Sequence, residues 1–220
     1  MMDTVIFDLD GTLLNTLPTI TRAVNRTFAS FSLPPIGEED CRRFLGYGAK
    51  ELIRRALHFV GAENETLLSA ILPAYNKTYN DDPFPGTKPY PCIEKTIETL
   101  DFAGFSLAVL SNKPEDTVKQ LIDRFFPGRF DLVAGGRSDM PLKPDPTALF
   151  SLLHLLGKTP ETLCYVGDTP VDIETGRKAG AARVLPVAWG FCTEEELRAR
   201  NPERILRSPE EILREVGLHA

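Results

Sequence analysis

Val5-Ile6-Phe7-Asp8-Leu9-Asp10-Gly11-Thr12-Leu13-Leu14 decides how the chain reads, because an unbroken apolar run delivers two carboxylates, one residue apart, into a glycine turn. Val5, Ile6 and Phe7 are β-branched or aromatic with no polar residue among them, the pattern of a strand buried on both faces of a parallel sheet. Asp8 ends that strand. Acidic side chains are seldom buried unless paired, metal-bound or used in chemistry, so two of them at the end of a core strand need an explanation. Asp-Gly is a common turn pair and Thr12 could cap the next segment, but a surface turn has no need of two acids straddling a leucine.

Composition bounds the answer. The 220 residues suffice for one large domain or two unequal ones. With 42% apolar and 25% charged residues the chain is ordinary for a soluble globular protein. A net charge of −6 speaks against nonspecific nucleic-acid binding, which needs clustered Lys and Arg. No apolar run approaches the roughly 20 residues of a membrane helix, and no basic leader or long apolar segment precedes the first strand. Cys41, Cys92, Cys164 and Cys192 are far apart and form no C-x-x-C, which disfavours zinc and a disulfide framework. The expectation is a cytoplasmic protein with reduced thiols, a monomer or homodimer, with neither nucleic acid nor membrane as partner.

Along the chain, Ile20, Val24, Phe28 and Phe31 recur at helical spacing, and further helices are expected over residues 38–44, around Leu52 to Val60 and around Leu67 to Tyr75. The proline-rich stretch 82–91 reads as a linker. Beyond it helix and strand alternate as in an α/β sheet. Strands are expected over 105–110, 131–134, 163–166 and 183–187. Asp145 is the expected cap, and Pro146 the first turn, of a helix through Leu156. Thr193 with Glu196 and Ser208 with Glu211 fit capping boxes.

Four polar clusters fall just after expected strands or at a helix start: Asp8 with Asp10, Ser111 with Asn112, Lys143, and Asp168 with Asp172. In an open α/β sheet ligands bind beyond the carboxyl ends of the strands, so these clusters should converge. Taken singly, Ser111–Asn112 is also a plain cap or turn pair, Lys143 a surface lysine and Asp168 a helix cap. Their joint order carries the reading. D-L-D-G-T-L at 8–13, then S-N at 111–112, K-P at 143–144 and G-D-T-P-V-D at 167–172 resemble the four motifs of the haloacid dehalogenase-like phosphatases.

That resemblance implies a Rossmann-like three-layer α/β core with a mostly parallel sheet, over residues 1–15 and 83–220, and a small α-helical cap inserted after the first strand, over 16–82. It implies that Asp8 accepts the phosphoryl group to give an aspartyl phosphate and that Asp10 handles protons. Thr12, Ser111, Asn112 and Lys143 would hold the phosphoryl oxygens, and Mg²⁺ would sit on Asp8, Asp168 and the backbone of Asp10, supported by Asp172. Gly46-Tyr47-Gly48-Ala49-Lys50 resembles the specificity loop of phosphoglycolate phosphatases, with Gly46, Tyr47, Gly48 and Lys50 choosing the substrate; a plain interhelix turn is the alternative. The implied substrate is a small phosphorylated metabolite. Other outcomes within the family are a sugar-phosphate mutase or a pyrophosphatase. Outside it stands a noncatalytic phospho-acceptor or binding protein. Asn15, Cys92 and Gly176 depart from the family pattern, where aspartate, glycine and alanine are usual.

Overall fold

A computed structural model of the protein describes residues 2–218; residues 1, 219 and 220 of the expected core lie outside them. In chain order the elements are β1 (Thr4–Phe7), β2 (Leu14–Asn15), α1 (Leu17–Ser30), α2 (Glu38–Arg42), α3 (Ala49–Phe59), α4 (Glu65–Asn80), β3 (Lys88–Pro89), α5 (Ile93–Phe102), β4 (Ser106–Pro114), α6 (Glu115–Phe125), β5 (Leu132–Gly136), α7 (Thr147–Leu156), β6 (Leu163–Gly167), α8 (Pro170–Ala179), β7 (Arg183–Pro186), α9 (Glu194–Arg198) and α10 (Glu210–Glu215).

Five strands form one parallel sheet in the order β5-β4-β1-β6-β7, with β1 at its centre. Because successive strand residues face opposite ways, Val5 and Phe7 pack with Ile93, Ile97, Val118 and Ile212, from α5, α6 and α10, on one face. Ile6 packs with Leu149, Leu152 and Ala179, from α7 and α8, on the other. Every residue of β1 is buried, as its unbroken apolar run requires. The result is the α/β sheet expected from the strand and helix alternation, in the three-layer arrangement that the family resemblance implies.

Helices α1 to α4 gather a separate apolar cluster around Val24, Phe28, Ile53 and Ile71. The chain leaves the sheet layer through β2 and returns through β3, and these two strands pair antiparallel, Leu14 opposite Pro89 and Asn15 opposite Lys88. The 82–91 stretch is therefore not wholly a linker. Its prolines are tolerated because a two-residue ribbon asks for few ladder hydrogen bonds.

Several expected boundaries move for identifiable reasons. β4 continues past Leu110 to Pro114, and its register against β5 shifts over that span. Gly135 and Gly136 allow the approach, since a Cβ on either would lie within 3.0 Å of backbone atoms of β4 or α6. α7 begins at Thr147 rather than Pro146, with the Thr147 N–H donating to Asp145 Oδ1 at 2.9 Å. Thr193 and Glu196 form the expected capping box, whereas at Ser208 only the Glu211 carboxylate takes part, accepting from Ser208 N.

Two departures from the family pattern acquire a physical meaning. Gly176 faces the sheet so closely that an alanine Cβ would lie 2.7 Å from Val184 Cγ2. Cys92 sits at φ +66°, in the left-handed region where a side chain costs about 1–2 kcal/mol and glycine is at ease. Cys92→Gly should therefore raise stability by up to about 1 kcal/mol after glycine's extra unfolded-state entropy is subtracted, or about 2–4 °C in a thermal melt. An unchanged or lower Tm would show that the Cys92 side chain is not strained in this conformation.

Candidate active site

The carboxyl ends of β1, β4 and β6, the loop between β5 and α7 and the start of α8 bring all four sequence clusters together. Asp8 N–H donates to Val166 O at 2.8 Å, which extends the β1–β6 pairing and places the Asp8 carboxylate at the sheet edge. Lys143 Nζ lies between two acids, 2.8 Å from Asp8 Oδ1 and 2.7 Å from Asp172 Oδ1. Asp172 Oδ2 accepts from the Thr169 N–H and hydroxyl, a capping box that opens α8. Thr169, not Asp168, is thus the helix cap. Asp168 is left free to face Asp8, held by Thr12 Oγ1 at 3.1 Å and by Phe191 N at 2.7 Å.

Asp8, Asp168 and Asp172 each present a carboxylate oxygen within 4.8 Å of the others, all buried. Glycine makes the crowding possible. A Cβ on Gly11, at φ +89°, would lie 2.1 Å from Asp168 Oδ2, and one on Gly190 would lie 2.3 Å from Asp168 Cβ. Burial pushes the Asp8 carboxyl up to about 7, with Asp172 and Asp10 adding to the rise and Lys143 opposing it. Asp168 is pushed well up by burial and by the charges of Asp8 and Asp172. Burial alone would lower Lys143, but Asp172 and Asp8 more than offset it and hold its ammonium charged. One lysine cannot balance three acids. Three clustered oxygen donors with surplus negative charge are the chemistry that a hard divalent cation fits.

Asp10 stands apart from this cluster. Its carboxylate accepts from Thr16 Oγ1 at 2.6 Å and from Lys113 Nζ, 3.0 Å from each oxygen. Asp8, Asp10, Ser111, Asn112, Lys113 and Lys143 form the sheet side of one cavity. Ile20, Leu45, Gly46, Gly48, Leu52 and Tyr79 of the helical insert close its other side.

The sequence-derived residues separate by contact. Ser111 lines the cavity; its Oγ accepts from Lys113 N, which leaves its own O–H to donate. Asn112 also lines it, but its amide is engaged elsewhere, donating to Gly46 O at 3.2 Å and Lys143 O at 3.0 Å while Oδ1 accepts from Lys143 N at 2.8 Å. It ties the Lys143 loop to the Gly46 loop. Thr12 likewise spends its hydroxyl on Asp168. Gly46 and Gly48 border the cavity, whereas Tyr47 lies under the Arg55 guanidinium in a neighbouring groove and Lys50 is exposed and outside the lining. Two participants were not singled out from sequence. Lys113 directly follows Ser111–Asn112, and its place after a strand-end polar pair was the available signal. Phe191 acts through its backbone, N–H to Asp168 and carbonyl to Arg42 of α2, and no side-chain pattern announces that.

The acid cluster has a consequence for the metal-free protein. A carboxyl with a raised folded-state pKa keeps its proton in the folded chain after the unfolded chain has lost it. Stability should therefore fall as pH rises from about 4 to about 7, by at most about 4 kcal/mol for Asp8. Chemical denaturation in EDTA should give a lower unfolding free energy at pH 8 than at pH 5, and a divalent cation should restore much of the difference. Stability that rises over this range without metal would contradict the charge balance described.

The family profile for haloacid dehalogenase-like hydrolases matches residues 5–185. The chain is 33% identical over 219 residues to the phosphoglycolate phosphatase of Aquifex aeolicus, covering 99% of this chain and 98% of that protein. It is 34% identical over 215 residues to phosphoglycolate phosphatase 1 of Pseudomonas aeruginosa, covering 95% of this chain and 78% of that one. A crystal structure from Haemophilus somnus, described as a predicted phosphoglycolate phosphatase, superposes with a TM-score of 0.89 at 28% identity over 97% of each chain. On its motifs, its fold and these matches, the chain belongs to the haloacid dehalogenase-like hydrolases.

Proposed function

We propose that the protein is a Mg²⁺-dependent phosphatase that hydrolyses small phosphomonoesters through an aspartyl phosphate on Asp8, with 2-phosphoglycolate as its substrate. The observation that carries this is the meeting, at one sheet edge, of Asp8, its lysine partner and two further acids beneath a cavity closed by a separate helical layer. The names of the relatives support the substrate.

Asp8 Oδ2 is the attacking atom. Its Oδ1 is held by Lys143, which aims the carboxylate and balances charge as it develops on the phosphoryl group. Ser111 Oγ–H donates to a phosphoryl oxygen. Asp10, on the insert side of Asp8, gives a proton to the leaving alkoxide and then takes one from the water that hydrolyses the aspartyl phosphate. Mg²⁺ would be held by the carboxylates of Asp8 and Asp168 with the Asp10 carbonyl as a further donor, and when bound it would supply Lewis-acid charge neutralisation for an incoming phosphate. Asp172 acts from behind by fixing Lys143. Thr12 orients Asp168 and Asn112 joins the Lys143 loop to the insert, so neither need touch phosphate.

Residues 16–82 serve as the cap and residues 1–15 with 83–220 as the catalytic core in this reading, the β2–β3 ribbon being the hinge. A closed cap excludes bulk water from the phosphoenzyme. Gly46 and Gly48, at φ +98° and +83°, let the loop backbone approach the cavity. The insert side of the cavity carries Ile20, Leu45, Ala49 and Leu52 beside Tyr75, Asn76, Tyr79 and Asn80. A cytoplasmic location belongs to the same reading, since four unpaired cysteines suit a reducing compartment. Among the described residues no helix is long and apolar enough to cross a membrane.

Asp8→Asn should abolish turnover while the protein stays folded, because the amide keeps the shape, is no nucleophile and relieves the crowding of acids. Asp10→Asn should slow hydrolysis of a poor leaving group by about a hundredfold to ten-thousandfold. A steady-state assay in which either variant keeps the wild-type rate removes that residue from its role. Activity should vanish in EDTA, return with Mg²⁺ and be poor with Ca²⁺, whose longer bonds and higher coordination number disturb the in-line geometry. Equal rates with the two ions would argue against a metal on Asp8 and Asp168.

A further inference from the structure

Lys113 has no part in the steps above, yet its position is distinctive. Its side chain is 7% exposed. Nζ reaches both oxygens of Asp10 and stands 4.3 Å from the centroid of the Tyr79 ring, which α4 brings across from the insert. Among the described residues lining the cavity the basic side chains are Lys113 and Lys143. Lys143 is bracketed by Asp8 and Asp172 at the floor. Beyond the phosphoryl position, therefore, Lys113 is the cation that the cavity offers, facing an insert wall whose polar side chains, Tyr75, Asn76, Tyr79 and Asn80, carry no charge.

We infer that Lys113 is the specificity-determining residue, its ammonium binding a carboxylate that the substrate carries one carbon away from its ester oxygen. The inference rests on the phosphatase reading, in which Asp10 faces that oxygen. In such an ester a single CH₂ separates the ester oxygen from the carboxyl carbon, so the carboxylate oxygens fall about 3 Å from it by ordinary bond lengths and angles. Lys113 Nζ is itself 3.0 Å from the Asp10 carboxylate. An ester oxygen set against Asp10 thus brings the carboxylate to hydrogen-bond range of Nζ.

The chemistry of the side chain suits the task. An ammonium has three donors on a flexible stem and can hold Asp10 and a second carboxylate together. Asp10 keeps the Thr16 hydroxyl as a second donor when Lys113 turns toward substrate. The Tyr79 ring face steadies the cation without neutralising it. A phosphate ester that presents a hydroxyl here gains no charge pairing, and in a water-poor cavity that difference is large. Lys50, expected to supply this charge, is exposed and outside the lining.

The test compares kcat/KM for 2-phosphoglycolate and for 2-hydroxyethyl phosphate, in which a neutral CH₂OH replaces the carboxylate, in wild type, Lys113→Met and Lys113→Arg with Mg²⁺. Taking the ratio of the two substrates within one enzyme cancels any loss of folded protein or of Asp10 support. The wild type should prefer phosphoglycolate, Lys113→Met should reduce that preference about 10- to 100-fold, the worth of one charge-assisted contact, chiefly through KM, and Lys113→Arg should keep most of it. If Lys113→Met loses both substrates in equal proportion, the inference is overturned and Lys113 is only a support for Asp10, while the phosphatase reading stands. If the wild type turns over neither ester, the phosphatase reading falls and the inference with it.

Discussion

Buried charge is the constraint on which this structure depends. Asp8, Asp168 and Asp172 lie almost without exposure at one edge of a parallel sheet, and Lys143 alone among nearby cations is placed between two of them. Carboxylates do not remain buried unless they are paired, hydrogen-bonded or protonated. Each is therefore given fixed donors: Lys143 for Asp8, Thr12 and Phe191 N–H for Asp168, and Lys143, Tyr165 and the Thr169 cap for Asp172. The surplus of negative charge that remains is what makes the cluster suited to a cation and to an incoming phosphate accompanied by one.

The surrounding fold is shaped by the placing of that cluster. β1 is central and wholly apolar from Val5 to Phe7, so its first acidic side chain emerges at the carboxyl edge and not within a layer. β6 ends two residues before Thr169, and the capping box there turns the chain into α8 with Asp172 facing inward and Asp168 facing Asp8. Gly11, Gly167 and Gly190 surround the acids because a Cβ at any of them would occupy the space of an aspartate side chain. Positions that look like loop glycines are thus part of the packing of the site.

The helical insert is tied to the sheet layer by few but specific contacts. Asn112 holds the carbonyl of Gly46, Arg42 reaches the carbonyl of Phe191, and Lys113 lies over the ring of Tyr79. Each of these contacts ends on a residue that also touches an acid or the Lys143 loop. A movement of the insert would therefore be felt at Lys143, Asp168 and Asp10, which gives lid closure a direct route to the proposed chemistry.

Much of this was legible in the sequence because it is local. The apolar run before Asp8, the order of the four polar clusters and the alternation of helix and strand specify a parallel α/β sheet and the edge at which its polar groups collect, since periodicity and strand-end position need no knowledge of distant partners. What the tertiary structure alone decided is how each polar atom is used. Asn112 and Thr12 carry side chains able to hold phosphate, and only the backbone and carboxyl groups brought beside them by the fold commit them to Lys143, Gly46 and Asp168. Lys113 reads as one more charge after a strand until β4 runs on past Leu110 and α4, from earlier in the chain, lays Tyr79 over it. A hydrogen bond has one partner at a time and that partner is chosen in space, so residue type and spacing determine what a site can contain, and packing determines what each member does.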